Sequence, residues 1–253
     1  VLILTGWLII WASFFLPWKI MMATFDLEEQ EQLAELKTWW QQHGRRVSSL
    51  VLVVAIGFAA WQAWQWWQNQ QAGKASAVYA GLQQAAGKND LKQVKLLSGE
   101  LIEKYAGTSY AGMGALIAAR VEVDQRDNKS ARAQLAWAAG HAKDEGLRAL
   151  ARLRLAVVLL DDKAFDEALA QLATTPPAPF TPRYADVRGD IYHAQGKMAE
   201  AAAAYDVALA AIDAQEKAAD GSGRGKRAAY RDLVQRKRNA LSATVPPAAE
   251  AKS

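Results

Sequence analysis

Few side chains in this chain have the type and spacing for chemistry. The imidazoles are His43, His141 and His193, far apart along the sequence and without a cysteine to join them in a metal site. They read as ordinary polar helix positions. The carboxylate pairs Asp161-Asp162 and Asp166-Glu167 could serve acid–base chemistry, but both read as helix starts, where acidic residues complement the helix dipole. Gly221-Ser222-Gly223-Arg224-Gly225 is glycine-rich, yet no strand precedes it and no Lys-Ser/Thr follows, so it does not read as a phosphate loop. The absence of cysteine removes disulfides and thiol catalysis. These residues point to a binding protein rather than an enzyme, with no metal, cofactor or small-molecule substrate.

What the chain could bind depends on the elements that carry its remaining side chains. The part after Trp67 is rich in Ala and Leu and poor in β-branched residues, so helix is expected throughout. The run from Gly189 through Tyr192, Gly196 and Ala201 to Tyr205, Ala208 and Leu209 has tetratricopeptide (TPR) spacing. Small residues at Gly189, Ala201 and Ala208 let paired helices approach, the tyrosines fill the space between them, and Gly196 makes the turn. Upstream, weaker copies centre on Ala168, Ala131 and Val94, with Ala156 and Ala119 at the small position of the helix before. The anchors Val94, Ala131, Ala168 and Ala201 lie 37, 37 and 33 residues apart, so the first two repeats are about one turn longer than the usual 34 residues. A generic Ala-rich helical bundle is the simpler alternative. Pro176, Pro177, Pro179 and Pro182 make a rigid connection before the last full repeat, residues 219–225 a flexible loop, and residues 226–241 a basic closing helix with Lys237 on its outer side. Residues 244–253 read as a disordered tail.

In a TPR pair the first helix lines a concave groove. Alignment on the small residues places Tyr79, Met113, Leu116, Arg120, Val123, Leu153, Val157 and Leu160 there, with Asp186, Asp190 and His193 at the same places in the last repeat. Grooves that clamp peptide ends are mostly Lys, Arg and Asn, whereas the first three repeats here are largely apolar. Such a stripe suits exposed apolar segments of unfolded or partner chains, unless the next helix covers it.

Ahead of the repeats, residues 47–67 form an uncharged stretch long enough for a bilayer core of about 30 Å. Trp61, Trp64, Trp66 and Trp67 match an interfacial belt, and Lys37, Arg45 and Arg46 just before the span favour a cytoplasmic N-terminus with the repeats exported. Residues 22–44 read as an amphipathic cytoplasmic helix built on Leu27, Leu33, Leu36, Trp39 and Trp40 and ending at Gly44. Residues 1–21 are a second apolar extension, ended by Pro17-Trp18-Lys19. They lack the basic start and small-residue end of a signal peptide, and read first as upstream DNA translated from a wrongly chosen start, with Met21 or Met22 the true one, and second as a short first transmembrane helix. The chain carries 30 basic and 26 acidic residues, of which residues 1–67 hold 4 and 5; the rest are spread out, which argues against nucleic-acid binding. Only residues 224–238 are locally basic, and they read first as a solvated helix face. The expected fold is therefore all-α: a single transmembrane anchor followed by a TPR-like helical-repeat array over 68–243.

The combination resembles a known family. Met22-Ala-Thr-Phe-Asp-Leu-Glu-Glu-Gln-Glu-Gln-Leu33, the Lys37-Thr38-Trp39-Trp40 element, the arginine pair and the Trp-rich end of the anchor are similar to the YfgM family of ancillary SecYEG translocon subunits. The resemblance covers residue 22 to about 241, and residues 1–21 depart from it. It implies a single-pass type II protein of the bacterial inner membrane, with its C-terminal domain in the periplasm. It also implies partnership with the SecYEG translocon and a PpiD-like periplasmic chaperone, and a part in handing unfolded secreted proteins to chaperones. It implies no catalytic residues. Two other readings remain: a TPR scaffold for another envelope-assembly complex, and a stress-response regulator acting through the cytoplasmic helix.

Overall fold

The structure, a computed structural model, describes residues 27–218 and 224–244. The apolar extension 1–21 and the tail from 245 onward lie outside the described residues, as does most of the 219–225 loop. Nine α-helices are described: α1 (Leu27–Gly87), α2 (Leu91–Lys104), α3 (Ser109–Asp124), α4 (Asn128–His141), α5 (Glu145–Asp161), α6 (Phe165–Gln171), α7 (Thr181–Ala194), α8 (Met198–Ala218) and α9 (Arg224–Thr244). A 3₁₀ turn at Ala178–Phe180 precedes α7, and the described residues contain no strand. The chain divides into two compact units between Trp66 and Trp67.

In the first unit the expected helix stop at Gly44 is absent, since α1 continues through it. One interior glycine costs only about 1 kcal/mol relative to alanine, no proline follows, and the Trp40 ring lies against Gly44 on the next turn. Within α1, Lys37–Gly87 contains a window long and apolar enough to cross a membrane, and none of that window is buried. Leu50 to Val54, Ile56, Phe58 and the four tryptophans at its end are all more than 45 % exposed, which suits a helix whose solvent is lipid.

In the second unit, the end of α1 packs on α2 through Leu82, Val94 and Leu101; α3 pairs with α4, α5 with α6 and α7 with α8, and each pair packs on the next. The four turns inside these pairs share one backbone solution. Asn89, Arg126, Lys163 and Gly196 all have positive φ, at 54°, 62°, 59° and 77°. At each, the amide three residues past the helix end donates to a carbonyl five residues back: Asp90 to Ala85, Asp127 to Glu122, Ala164 to Leu159 and Lys197 to Tyr192, at 2.8–3.0 Å. This is the Schellman ending of a helix. It recurs at the same 37, 37 and 33 spacing as the anchor residues, although only the fourth copy uses glycine. Asp90 and Asp127 then cap the next helix by accepting from the Gln93 and Ser130 amides.

The anchors Val94, Ala131, Ala168 and Ala201 are all fully buried, so the repeat register read from sequence is the register of the core. Three apolar clusters follow one another along the array, around Leu82 and Leu101, around Leu135 and Leu159, and around Tyr205 and Val234. At Gly189 a Cβ would lie 2.5 Å from the Tyr205 ring, so glycine is what lets α7 and α8 close. Asp161 and Asp162 end α5 rather than open a helix. Their position against the dipole is offset by the previous repeat: Asn128 donates to Asp162 at 3.0 Å and Arg132 lies 3.5 Å from it. Arg224 and Gly225 belong to α9, not to the preceding loop.

Candidate protein-binding groove

The groove positions sit on the first helix of each pair, and their surroundings change along the array. Tyr79 is half-buried against Tyr110, with ring centroids 5.5 Å apart. Leu116 and Leu153 are buried at 5 % and 9 % exposure and form floor rather than lining. Met113 and Leu160 are half-buried. Arg120, Val123 and Val157 come together in one cavity of about 320 Å³ between α3 and α5, floored by Ala119, Leu135 and Val158. Val157 is 39 % exposed there although it is a large apolar residue. A second cavity, of about 470 Å³, lies between the end of α1 and α3, lined by Gln83, Ala86 and Ile117. Arg120 and Asp124 border both cavities.

Two residues on this rim were not among the positions read from sequence. Asp124 lies 3.9 Å from Arg120, with both side chains mostly exposed. Arg154, one turn before Val158 on α5, lines the same cavity and donates to the Leu116 carbonyl at 3.3 Å. Burial, and then the nearby Arg120 cation, hold the Arg154 guanidinium below its ordinary value. Alignment on the small residues names only Leu153, Val157 and Leu160 in this repeat; the long side chain of Arg154 reaches the rim from the next position along α5.

The last repeat differs. Asp186 is 5 % exposed, and with Asp190 it faces α9 instead of an open groove. Lys237 Nζ donates to Asp186 at 2.8 Å and to both oxygens of Asp190 at 2.7–2.8 Å, so Lys237 points inward and not to the outer side of the closing helix. The Tyr205 hydroxyl donates to Asp190 at 2.8 Å and the Tyr230 hydroxyl to Asp186 at 3.0 Å. Arg183 stacks over the Tyr230 ring at 3.8 Å. Burial, then the neighbouring carboxylates, push both tyrosine hydroxyls well above their usual range. Burial pulls Lys237 down, but the two aspartates outweigh it and its net shift is upward. Two carboxylates this close, one of them buried, require a cation, and α9 supplies it. Val234 and Leu241 fill the last apolar cluster, and Arg231 and Arg238 pair with Asp213 and Asp206 of α8. Of the last repeat's groove residues, only His193 is exposed.

Behind the groove, Glu122 of α3 is fully buried and neither of its oxygens has a hydrogen-bond partner. Its pKa rises from 4.5 to about 7, by burial first; Lys95 opposes the rise and Asp127 adds to it. Lys95 and Asp127 are paired with each other, which holds the Asp127 carboxyl down at about 2.

Residues 37–243 match the family model described as a tetratricopeptide repeat-like domain. A protein of Neisseria gonorrhoeae named as an ancillary SecYEG translocon subunit is 33 % identical over 184 residues, covering 72 % of this chain and 88 % of that protein. The chain belongs to the family of ancillary SecYEG translocon subunits. Proteins of the same name from Haemophilus influenzae and Escherichia coli K12 are 28 % and 27 % identical, covering 73 % and 72 % of this chain and 90 % and 87 % of theirs. The family name describes an accessory subunit, not an enzyme class.

Proposed function

We propose that this member of the family is held in the bacterial inner membrane by residues 47–67 as a single-pass type II protein. Its repeats face the periplasm and associate with the SecYEG translocon. Through the concave face of the first three repeats it holds apolar segments of unfolded secreted proteins, and passes them to a PpiD-like periplasmic chaperone. The observation that carries this reading is the cavity between α3 and α5, where Val157 and Val123 stay accessible beside a packed core. An apolar surface kept open at the repeat position that usually binds peptide suits transient capture of extended chain. The basic residues Lys37, Arg45 and Arg46 ahead of the span support the orientation.

Site-specific photo-crosslinking in living cells tests the proposal, with a photoreactive residue at Val157 or Arg120. Leu96, which is 63 % exposed on α2, the second helix of the first pair, serves as the control. Capture of translocon components and nascent secreted chains from the first two positions, but not from Leu96, is the expected result. Capture of a single folded envelope protein would favour a scaffold. Capture only from a probe at Trp39 or Trp40 would move the function to the segment ahead of the span.

A further inference from the structure

The rim of the α3–α5 cavity carries an unbalanced charge above an apolar floor. Two guanidinium groups, Arg120 and Arg154, border it with one carboxylate, Asp124. The Arg120–Asp124 pair is loose, at 3.9 Å with side chains 80 % and 59 % exposed, and such a pair contributes little. Among the described residues Arg154 has no carboxylate partner; its hydrogen bond goes to a backbone carbonyl. The contrast with the last repeat is instructive. There two carboxylates face one cation and the chain itself closes the site, whereas here two cations face one carboxylate and nothing in the described chain closes it.

We infer that this cavity selects extended polypeptide segments in which an apolar side chain stands close to a carboxylate, the apolar group entering between α3 and α5 and the acid lying across Arg120 and Arg154. In an extended strand, residues i and i+2 project from one face roughly 7 Å apart. An apolar residue at i and Asp or Glu at i+2 therefore reach floor and rim together. Guanidinium groups present paired donors to a carboxylate, so a neutral or basic residue at i+2 does not substitute. Because Arg120 and Asp124 also border the α1–α3 cavity, a segment crossing the array meets a second recess one helix-packing distance away. That distance is about 8–10 Å, or about three residues of extended chain. This inference rests on the reading of the concave face as a capture surface and adds the class of segment it prefers.

The test uses the full chain in detergent micelles and fluorescein-labelled peptides of about twelve residues in a Ser/Gly frame. One carries Leu at i and Glu at i+2, the second Leu and Lys, the third Ser and Glu. The Leu/Glu peptide binds about tenfold tighter than either of the others at low salt, and its advantage shrinks as salt rises. Arg120→Gln removes a largely exposed cation, and Arg154→Gln gives up one long hydrogen bond, so both variants fold. Each reduces the preference for Glu over Lys to about twofold or less. Equal binding of the Leu/Glu and Leu/Lys peptides overturns the inference and leaves an unselective apolar groove. Failure of all three peptides, with secreted chains still captured from Val157 in cells, overturns it as well. If Val157 also captures nothing, the capture surface itself falls.

Discussion

Replacing Glu122 by glutamine tests the electrostatics of the repeat core most directly. Glu122 is fully buried, its oxygens are unbonded, and its pKa stands at about 7 against 4.5 for the free side chain. Below pH 4.5 both folded and unfolded chains hold the proton, and the site has no electrostatic cost. As pH rises from there toward 7 the unfolded chain releases its proton first, so the folded state loses stability with increasing pH. Above 7 the loss is complete. At about 1.4 kcal/mol per pKa unit, the difference between 4.5 and about 7 amounts to about 3 kcal/mol, of which most accrues between pH 5 and 8. Lys95 and Asp127, the charged groups facing it, keep their charges across that range. Glutamine has nearly the same shape and does not titrate. Its buried amide adds a cost that is the same at every pH, so the slope, not the absolute stability, is the readout. Urea unfolding of both full-length chains, followed by circular dichroism at pH 5, 6.5 and 8, gives the difference in stability directly. Contributions from all other titrating groups cancel in that difference. Glu122→Gln gains on the natural chain by about 2–3 kcal/mol from pH 5 to pH 8. Parallel pH profiles would refute the buried-carboxyl argument.

The positive-φ turns predict opposite responses to glycine. Arg126→Gly and Lys163→Gly relieve left-handed strain and raise the urea midpoint by the equivalent of up to about 1 kcal/mol, whereas Gly196→Ala lowers it by about 1 kcal/mol. Gly189→Ala drives a methyl to 2.5 Å from the Tyr205 ring. It costs about 1–3 kcal/mol and disturbs the Tyr205–Asp190 hydrogen bond, seen as a fall in Tm. Lys237→Met leaves Asp186 buried with its charge unmatched and costs about 3–5 kcal/mol. Hydrogen exchange then shows α9 losing protection first, because three of its hydrogen bonds to α7 belong to this one ammonium group.

The repeat register was legible because it is written in local terms. Within each copy, small residues where two helices meet and the turn between them sit within a few positions of the anchor, and burial of Val94, Ala131, Ala168 and Ala201 follows. The turns themselves were half-hidden. Gly196 declares a left-handed residue, but Arg126 and Lys163 do not, and only the hydrogen bonds to Glu122 and Leu159 show that the same ending was used. Gly44 failed as a stop signal for a related reason: glycine is a weak breaker when the residues on both sides favour helix and no proline follows.

The groove was legible only where its occupancy depends on its own helices. Val123 and Val157 line one cavity because the first helices of adjacent repeats, α3 and α5, lie side by side, and repeat spacing alone sets that neighbourhood. Asp186 and Asp190 share the same alignment, but their environment is decided by Lys237, 51 and 47 residues further on. A carboxylate at an inward position is a demand for a cation, and sequence spacing does not reveal which segment will meet it. In this chain the demand is met by the closing helix. That helix therefore does more than shield the last apolar cluster: it covers Asp186 and Asp190 and leaves only His193 exposed among the fourth repeat's candidate groove positions. The open surface is left to the cavities bordered by Arg120, where the surplus charge has the opposite sign.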